Sequence, residues 1–240
     1  MVTTEETKST VYYQPILRLA TSDSAGKPYN PELARHEILY RINDGKNKFP
    51  VEHAQKQNLL DNGFAMLEQT IENVLADIKL HPQLAEKPLH LNILPNQLNA
   101  KLITLLQKYP FLNKIIEIEI LEDTEMDHVQ TAILFKIHEM GFKVWIDDLP
   151  DQHSVANLHK VKKILTGVKV SKPDFLRLNP NIFRQQLEIL CQGNPQLLVI
   201  VEWLSQPSDV EIIFELIDKY PILVQGYFFG QPSRPGQAVI

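Results

Sequence analysis

The sequence predicts an α/β fold in which mainly parallel strands close into a (β/α)8-type barrel, and three observations lead there. Extended apolar runs alternate with stretches of helical periodicity along the whole chain, the pattern of strands joined by helical crossovers. At 240 residues the chain is long enough for one closed barrel, and no linker-like stretch divides it. Polar residues fall one after another in or at the end of different strand-like runs: Glu37, Asn92, Glu119, Asp147 with Asp148, Arg177, Glu202 and Gln225. A barrel brings such positions to one mouth. Residues 11–240 therefore read as a single domain behind a flexible N-terminus over residues 1–10.

Residues 11–19 are β-branched and aromatic and predict the first strand, followed by a turn-rich excursion over 22–31. Residues 36–42 form the second strand, closed by Asn43-Asp44-Gly45. Within it Glu37, Leu39 and Arg41 share one face while Ile38 and Tyr40 take the other, so the first face is unlike a core face. Phe64, Leu67, Ile71, Val74, Leu75 and Ile78 follow helical spacing and predict an amphipathic helix over 63–80. A strand over 89–94 carries Asn92, and one over 115–121 carries Glu117 and Glu119 on one face. Val129, Ile133, Ile137 and Met140 mark a helix ended by Gly141.

The apolar run 142–146 reads as a buried parallel strand, and it meets Asp147, Asp148 and Pro150 at its end. A helix over 154–165, a strand over 175–179, a helix over 182–191 and a strand over 197–203 follow. Ser208 with Glu211 forms a capping box for a helix ending near Lys219, and 223–229 is the last strand.

A formal charge of −5 and a pI near 5.9 give no field for a nucleic-acid polymer or an anionic membrane. The single cysteine, Cys191, sits on an apolar helix face with Leu187 and Leu190, which makes it an inert core thiol in a reducing compartment. No apolar leader or membrane-length run is visible, so a cytoplasmic protein is expected.

Asp147 and Asp148 repel each other unless a cation or proton lies between them; the other reading is a pair that caps the following loop and helix. Five carboxylates with amide oxygens in one cleft call for divalent cations, and a donor set of oxygens alone favours Mg²⁺ or Mn²⁺ over Zn²⁺. No histidine pair has the HExxH spacing.

Glu37-Ile38-Leu39-Tyr40-Arg41 resembles the E-A-L-L-R signature of the EAL domains, bacterial phosphodiesterases for cyclic di-GMP. The resemblance continues in order. Tyr13-Gln14-Pro15-Ile16 is similar to Y-Q-P-I, Asn92 to the asparagine of N-x-S-P, and Glu119-Ile120-Leu121-Glu122 to E-I-T-E. Asp147-Asp148 matches the start of D-D-F-G-T-G, Phe175-Leu176-Arg177-Leu178-Asn179 stands at Y-L-K-I-D, and Glu202 at the first glutamate of A-E-G-V-E. Gln225-Gly226-Tyr227 with Gly230 and Pro232 matches Q-G-Y and G-x-P.

The resemblance implies a TIM-barrel-like (β/α)8 fold with one antiparallel strand. It also implies a two-metal Mg²⁺ or Mn²⁺ site held by Glu37, Asn92, Glu119, Asp147 and Asp148. Glu202, Arg177 and Asp148 would be catalytic, Gln14, Leu39, Arg41, Gln225, Tyr227 and Pro232 would meet the nucleotide, and Glu122 would brace the loop after Asp148. Tyr227 reads equally as core packing.

The sequence also departs from the family. Leu149-Pro150-Asp151-Gln152 lacks the loop glycines, Arg177 replaces a catalytic lysine, Asn179 an aspartate, Trp203 a glycine and Ser205 a glutamate. Two functions follow from the resemblance. One is a slow phosphodiesterase that opens cyclic di-GMP to linear pGpG. The other is a catalytically silent domain acting as a cyclic di-GMP receptor or a protein-binding regulator, alone or as a homodimer.

Overall fold

The computed structural model describes residues 8–20, 30–43, 48–49, 51–121, 125–149, 152–170, 180–192 and 194–237. Nine strands occur among them: β1 (Lys8–Ala20), β2 (Asn30–Asn43), β3 (Lys48–Phe49), β4 (Leu89–Ile93), β5 (Ile116–Ile120), β6 (Lys143–Leu149), β7 (Leu165–Val170), β8 (Leu198–Val201) and β9 (Ile222–Gln225). The helices are α1 (Val51–Leu80), α2 (Ala100–Lys108), α3 (His128–Glu139), α4 (Gln152–Val161), α5 (Pro180–Gln192) and α6 (Pro207–Ile217). None of the described helices is long and apolar enough to cross a membrane.

From β2 through β4, β5, β6, β7 and β8 to β9 every neighbouring pair is parallel. β1 lies antiparallel to both ends of that run, pairing Gln14 with Glu37 on β2 and Ile16 with Gln225 on β9. The sheet is thereby closed, with β3 as a two-residue flank on β2. The result is an eight-stranded mixed barrel ringed by helices, with β1 as the one reversed strand. β1 begins at Lys8, within the segment expected as a tail.

Alternation along the strands sorts the side chains into two layers. On β5, Ile116, Ile118 and Ile120 join the large outer cluster beneath the helices. Glu117 and Glu119 therefore point into the barrel. The apolar part of the interior is small: Ile16, Trp145, Ile200 and Leu223. Gly167 on β7 leaves the room Trp145 needs, since a Cβ there would lie 2.1 Å from the indole Cζ3.

Helix ends follow local chemistry. Asp127 caps α3 by accepting from the Gln130 amide at 2.8 Å, Gln130 returns the bond, and Gly141 (φ 91°) ends the helix as its position predicts. α1 starts at Val51, well before the expected 63. α6 differs in its cap: Pro207 opens the helix, so Gln206 is the N-cap and Asp209 its box partner, not Ser208 and Glu211. Asp209 Oδ2 accepts from the amides of Ser205 at 2.9 Å and Gln206 at 3.2 Å.

The strand that stands between β6 and β8 is Leu165–Val170. The strand expected over 175–179, with Arg177 and Asn179, lies outside the described residues, as do Glu122, Pro150 and Asp151.

Candidate binding site at the barrel mouth

Parallel strands deliver their C-terminal ends to one rim, and β2, β4, β5, β6, β7, β8 and β9 bring Glu37, Asn92, Glu119, Asp147, Lys169, Glu202 and Gln225 together there. Lys169, one residue from the end of β7, is the centre. Its side chain is 1% exposed, and the ammonium lies 2.7 Å from Glu202 Oε1, 2.8 Å from Glu119 Oε1, 3.2 Å from Glu37 Oε2 and 3.8 Å from Asp147 Oδ1. The amides complete the net. Gln225 Nε2 donates to Glu37 Oε2 at 2.6 Å and Asn92 Nδ2 to Glu37 Oε1 at 2.9 Å.

One ammonium cannot neutralise four carboxylates, and the balance of burial against Lys169 differs from acid to acid. Burial disfavours the Lys169 charge, yet Asp147, Glu119, Glu202 and Glu37 outweigh it and push its pKa well up. Burial pushes Asp147 well above the usual carboxylate range and Glu202 up to about 7, against the pull of Lys169 in both cases. Glu119 feels the same burial, but Lys169 and His90 overcome it and hold it at about 2. The cluster thus combines ionised carboxylate, ammonium and carboxyl groups that bind a proton near neutrality.

Beneath this layer His90 is fully buried and spans two acids, with Nδ1 at 2.8 Å from Glu119 Oε2 and Nε2 at 3.4 Å from Glu117 Oε2. Glu117 also accepts from Trp145 Nε1 at 2.7 Å, Arg35 Nε at 3.1 Å and Lys143 Nζ at 3.1 Å. Glu119 is therefore gripped from both sides, by Lys169 above and His90 below.

A cavity of about 530 Å³ opens over the cluster. Gln14, Leu39, Arg41, Tyr227 and Pro232, all expected to meet a ligand, line it with Glu37, Asn92, Asp147, Asp148, Glu202 and Gln225. Arg41 is half-buried and donates to the carbonyl of Tyr40 at 3.0 Å. Glu119 is 0% exposed and sits beneath the lining. Two of the rim residues, Asp148 (φ 57°) and Trp203 (φ 63°), adopt the left-handed conformation. Aspartate tolerates it; for a bulky side chain it costs about 1–2 kcal/mol.

The donor chemistry suits a hard cation, and Asn92 Oδ1 and Gln225 Oε1 are buried acceptors without a hydrogen-bond partner among the described residues. In this structure the same carboxylates face Lys169. The carboxylates are drawn onto Lys169, and among the described residues no three Asp, Glu, His or Cys side chains form a group that could hold a metal ion. Of the residues expected as a two-metal site, Glu37, Glu119 and Asp147 lie against Lys169, Asn92 joins them through Glu37, and Asp148 lines the cavity.

Sequence reasoning did not name Lys169, His90 or Trp145. A lone lysine inside the apolar alternation of 165–170 was the available signal, because a buried ammonium requires acidic partners.

A family model described as the EAL domain matches residues 2–232. No curated protein matches the chain significantly in sequence. Among solved structures, an EAL domain protein from Listeria monocytogenes EGD-e is similar at 22% identity, with a TM-score of 0.73 over 94% of this chain and 89% of that one. The Bacillus subtilis YkuI protein, with an EAL domain and in complex with substrate c-di-GMP and calcium, gives 16% identity and a TM-score of 0.72. That match covers 94% of this chain and 56% of YkuI. A standalone versatile EAL protein from Vibrio cholerae O395, in its c-di-GMP-bound form, gives 19% identity and a TM-score of 0.66 over 95% of this chain and 93% of that one.

Proposed function

The chain belongs to the EAL-domain family, and from that premise we propose that its barrel mouth binds cyclic di-GMP as a receptor, without turnover. The observation that carries this reading is the engagement of Glu37, Glu119, Asp147 and Glu202 with Lys169. A resident ammonium, with protons on the carboxyls pushed upward, lowers the negative field that would otherwise repel a phosphodiester. Arg41 adds a planar cationic fork at the lining, suited to a phosphate. Gln14 and the side-chain oxygens of Asn92 and Gln225, which have no partner among the described residues, offer hydrogen-bonding groups to ring and ribose. The YkuI and Vibrio cholerae proteins, seen with c-di-GMP, support the choice of ligand.

Hydrolysis of the same ligand is the second reading, and one observation favours it. Lys169 lies on β7, the strand after the one bearing Asp147 and Asp148, so a lysine ammonium stands among the carboxylates although the resemblance put the family's lysine at Arg177.

One experiment separates the two. Cyclic di-GMP is titrated by calorimetry in chelator and in Ca²⁺, and parallel samples with Mg²⁺ or Mn²⁺ are assayed for pGpG. The expected result is binding that survives chelation within a few-fold and yields no linear product. Product that disappears in Glu37→Ala establishes the enzyme instead. Absence of binding in every condition overturns both and points to a protein partner.

A further inference from the structure

We infer that Trp203 joins Tyr227, which the family resemblance already brings to the nucleotide, in a stacking rim for a nucleobase at the cavity mouth, an inference that rests on the cyclic di-GMP reading. Both side chains line the cavity, and both are turned to solvent, at 64% and 66% exposure. Scattered exposed aromatics need no explanation. These two are not scattered.

Their loops are locked to one another. Leu204, directly after Trp203, donates its amide to the Gln225 carbonyl at 3.2 Å and accepts from the Phe228 amide at 3.0 Å. Those partners flank Gly226 and Tyr227. Gly226 lies so close to Leu204 that a Cβ would come within 2.1 Å of its carbonyl oxygen, so the approach requires glycine. Trp203 and Tyr227 are thus carried at fixed spacing on two bonded loops, and little ordering is left to be done when a ligand arrives.

The backbone of Trp203 gives the second argument. At φ 63° a tryptophan is held in a conformation that favours glycine, and its indole gains no burial inside the chain to offset the strain. A strained, exposed indole at the edge of this cavity matches what a flat heteroaromatic ring needs. Every base presents a π-face, and an indole is the largest side-chain surface for it.

The test uses tryptophan emission. The chain has two tryptophans, and Trp145 is 0% exposed within the barrel, so a ligand stacking on Trp203 quenches a separable signal. Wild type, Trp203→Phe, Trp203→Gly and Tyr227→Ala are titrated with cyclic di-GMP and with GMP, by emission and by calorimetry. Quenching is expected in wild type and absent in Trp203→Phe, which still binds within a few-fold. Trp203→Gly and Tyr227→Ala each weaken binding about tenfold or more. Trp203→Gly also melts no lower than wild type, since glycine relieves the strained φ.

Cyclic di-GMP binding that Trp203→Gly leaves unchanged overturns the rim and spares the receptor reading. Failure of cyclic di-GMP with Trp203-dependent quenching by GMP removes that reading and keeps the rim. No quenching by either nucleotide overturns the rim.

Discussion

A lysine ammonium among four carboxylates is held by opposing terms of several kcal/mol each, so a single substitution exposes the balance. Lys169→Met removes the ammonium at the centre of that cluster and leaves Glu119, at 0% exposure, with His90 as its one cationic partner among the described residues. The expected cost is about 3–5 kcal/mol, or a melting point lower by on the order of 10 °C at this chain length. Without the ammonium the same oxygens become available to a hard cation, so millimolar Ca²⁺ should raise the melting point of Lys169→Met far more than that of wild type. Equal stabilisation of both proteins would show that a cation already fits beside Lys169, and the carboxylate–lysine account would fall. The acids and amides of this site were legible in the sequence because each stands conspicuously in or after an apolar run. Lys169 left only its place in the apolar run 165–170 as a signal, because its four partners lie on other strands and no local window contains them.

At the scale of elements, β5 was the plainest to read, since strict alternation puts Ile116, Ile118 and Ile120 on one face and two glutamates on the other. α3 was equally plain, with its apolar period and the glycine that ends it. β7 was obscured by its own function in the barrel. Its six residues carry Gly167 and Lys169, which lower strand propensity, whereas 175–179 looks locally more extended. The glycine answers a demand from the neighbouring strand, because Trp145 occupies the space a side chain would need. Gly167→Ala should therefore destabilise by about 1–3 kcal/mol as the indole is displaced. The displacement also strains the Trp145 bond to Glu117, so near-ultraviolet circular dichroism of the indole should change along with the denaturation midpoint. An unchanged midpoint would mean that β7 does not pack against Trp145 and that its assignment to the barrel is wrong.

The whole molecule depends on closing the sheet with a strand that runs the wrong way. β1 comes first in the chain, pairs with β2 next to it and with β9 near the other end, and its partners cannot all be in place until the sheet is built. Beyond β9 the chain turns back: Tyr13 and Ser233 exchange backbone hydrogen bonds at 2.9 and 3.1 Å. Arg234 donates to the Val11 carbonyl, the Thr10 hydroxyl and both oxygens of Asp77 on α1, and Asp77 also accepts from the Tyr13 hydroxyl at 3.0 Å. Asp77, 5% exposed, therefore ties one helix, the reversed strand and the C-terminal segment together. Asp77→Ala leaves Arg234 without its carboxylate. Because Arg234 keeps 34% of its side chain in water, the loss is discounted from a fully buried pair to about 2–3 kcal/mol. The distribution of that loss is the sharper prediction. Amide exchange should quicken in β1 and over 230–237 together while β5 and β6 keep their protection, because only the closure is loosened. The mouth should follow, since Gln14 lies on β1 and Pro232 on the returning segment, and both line the cavity. Ligand affinity should fall in Asp77→Ala although Asp77 does not line the cavity. Exchange that rises evenly through the barrel, or affinity that stays at the wild-type value, would show that closure and binding are not coupled through β1.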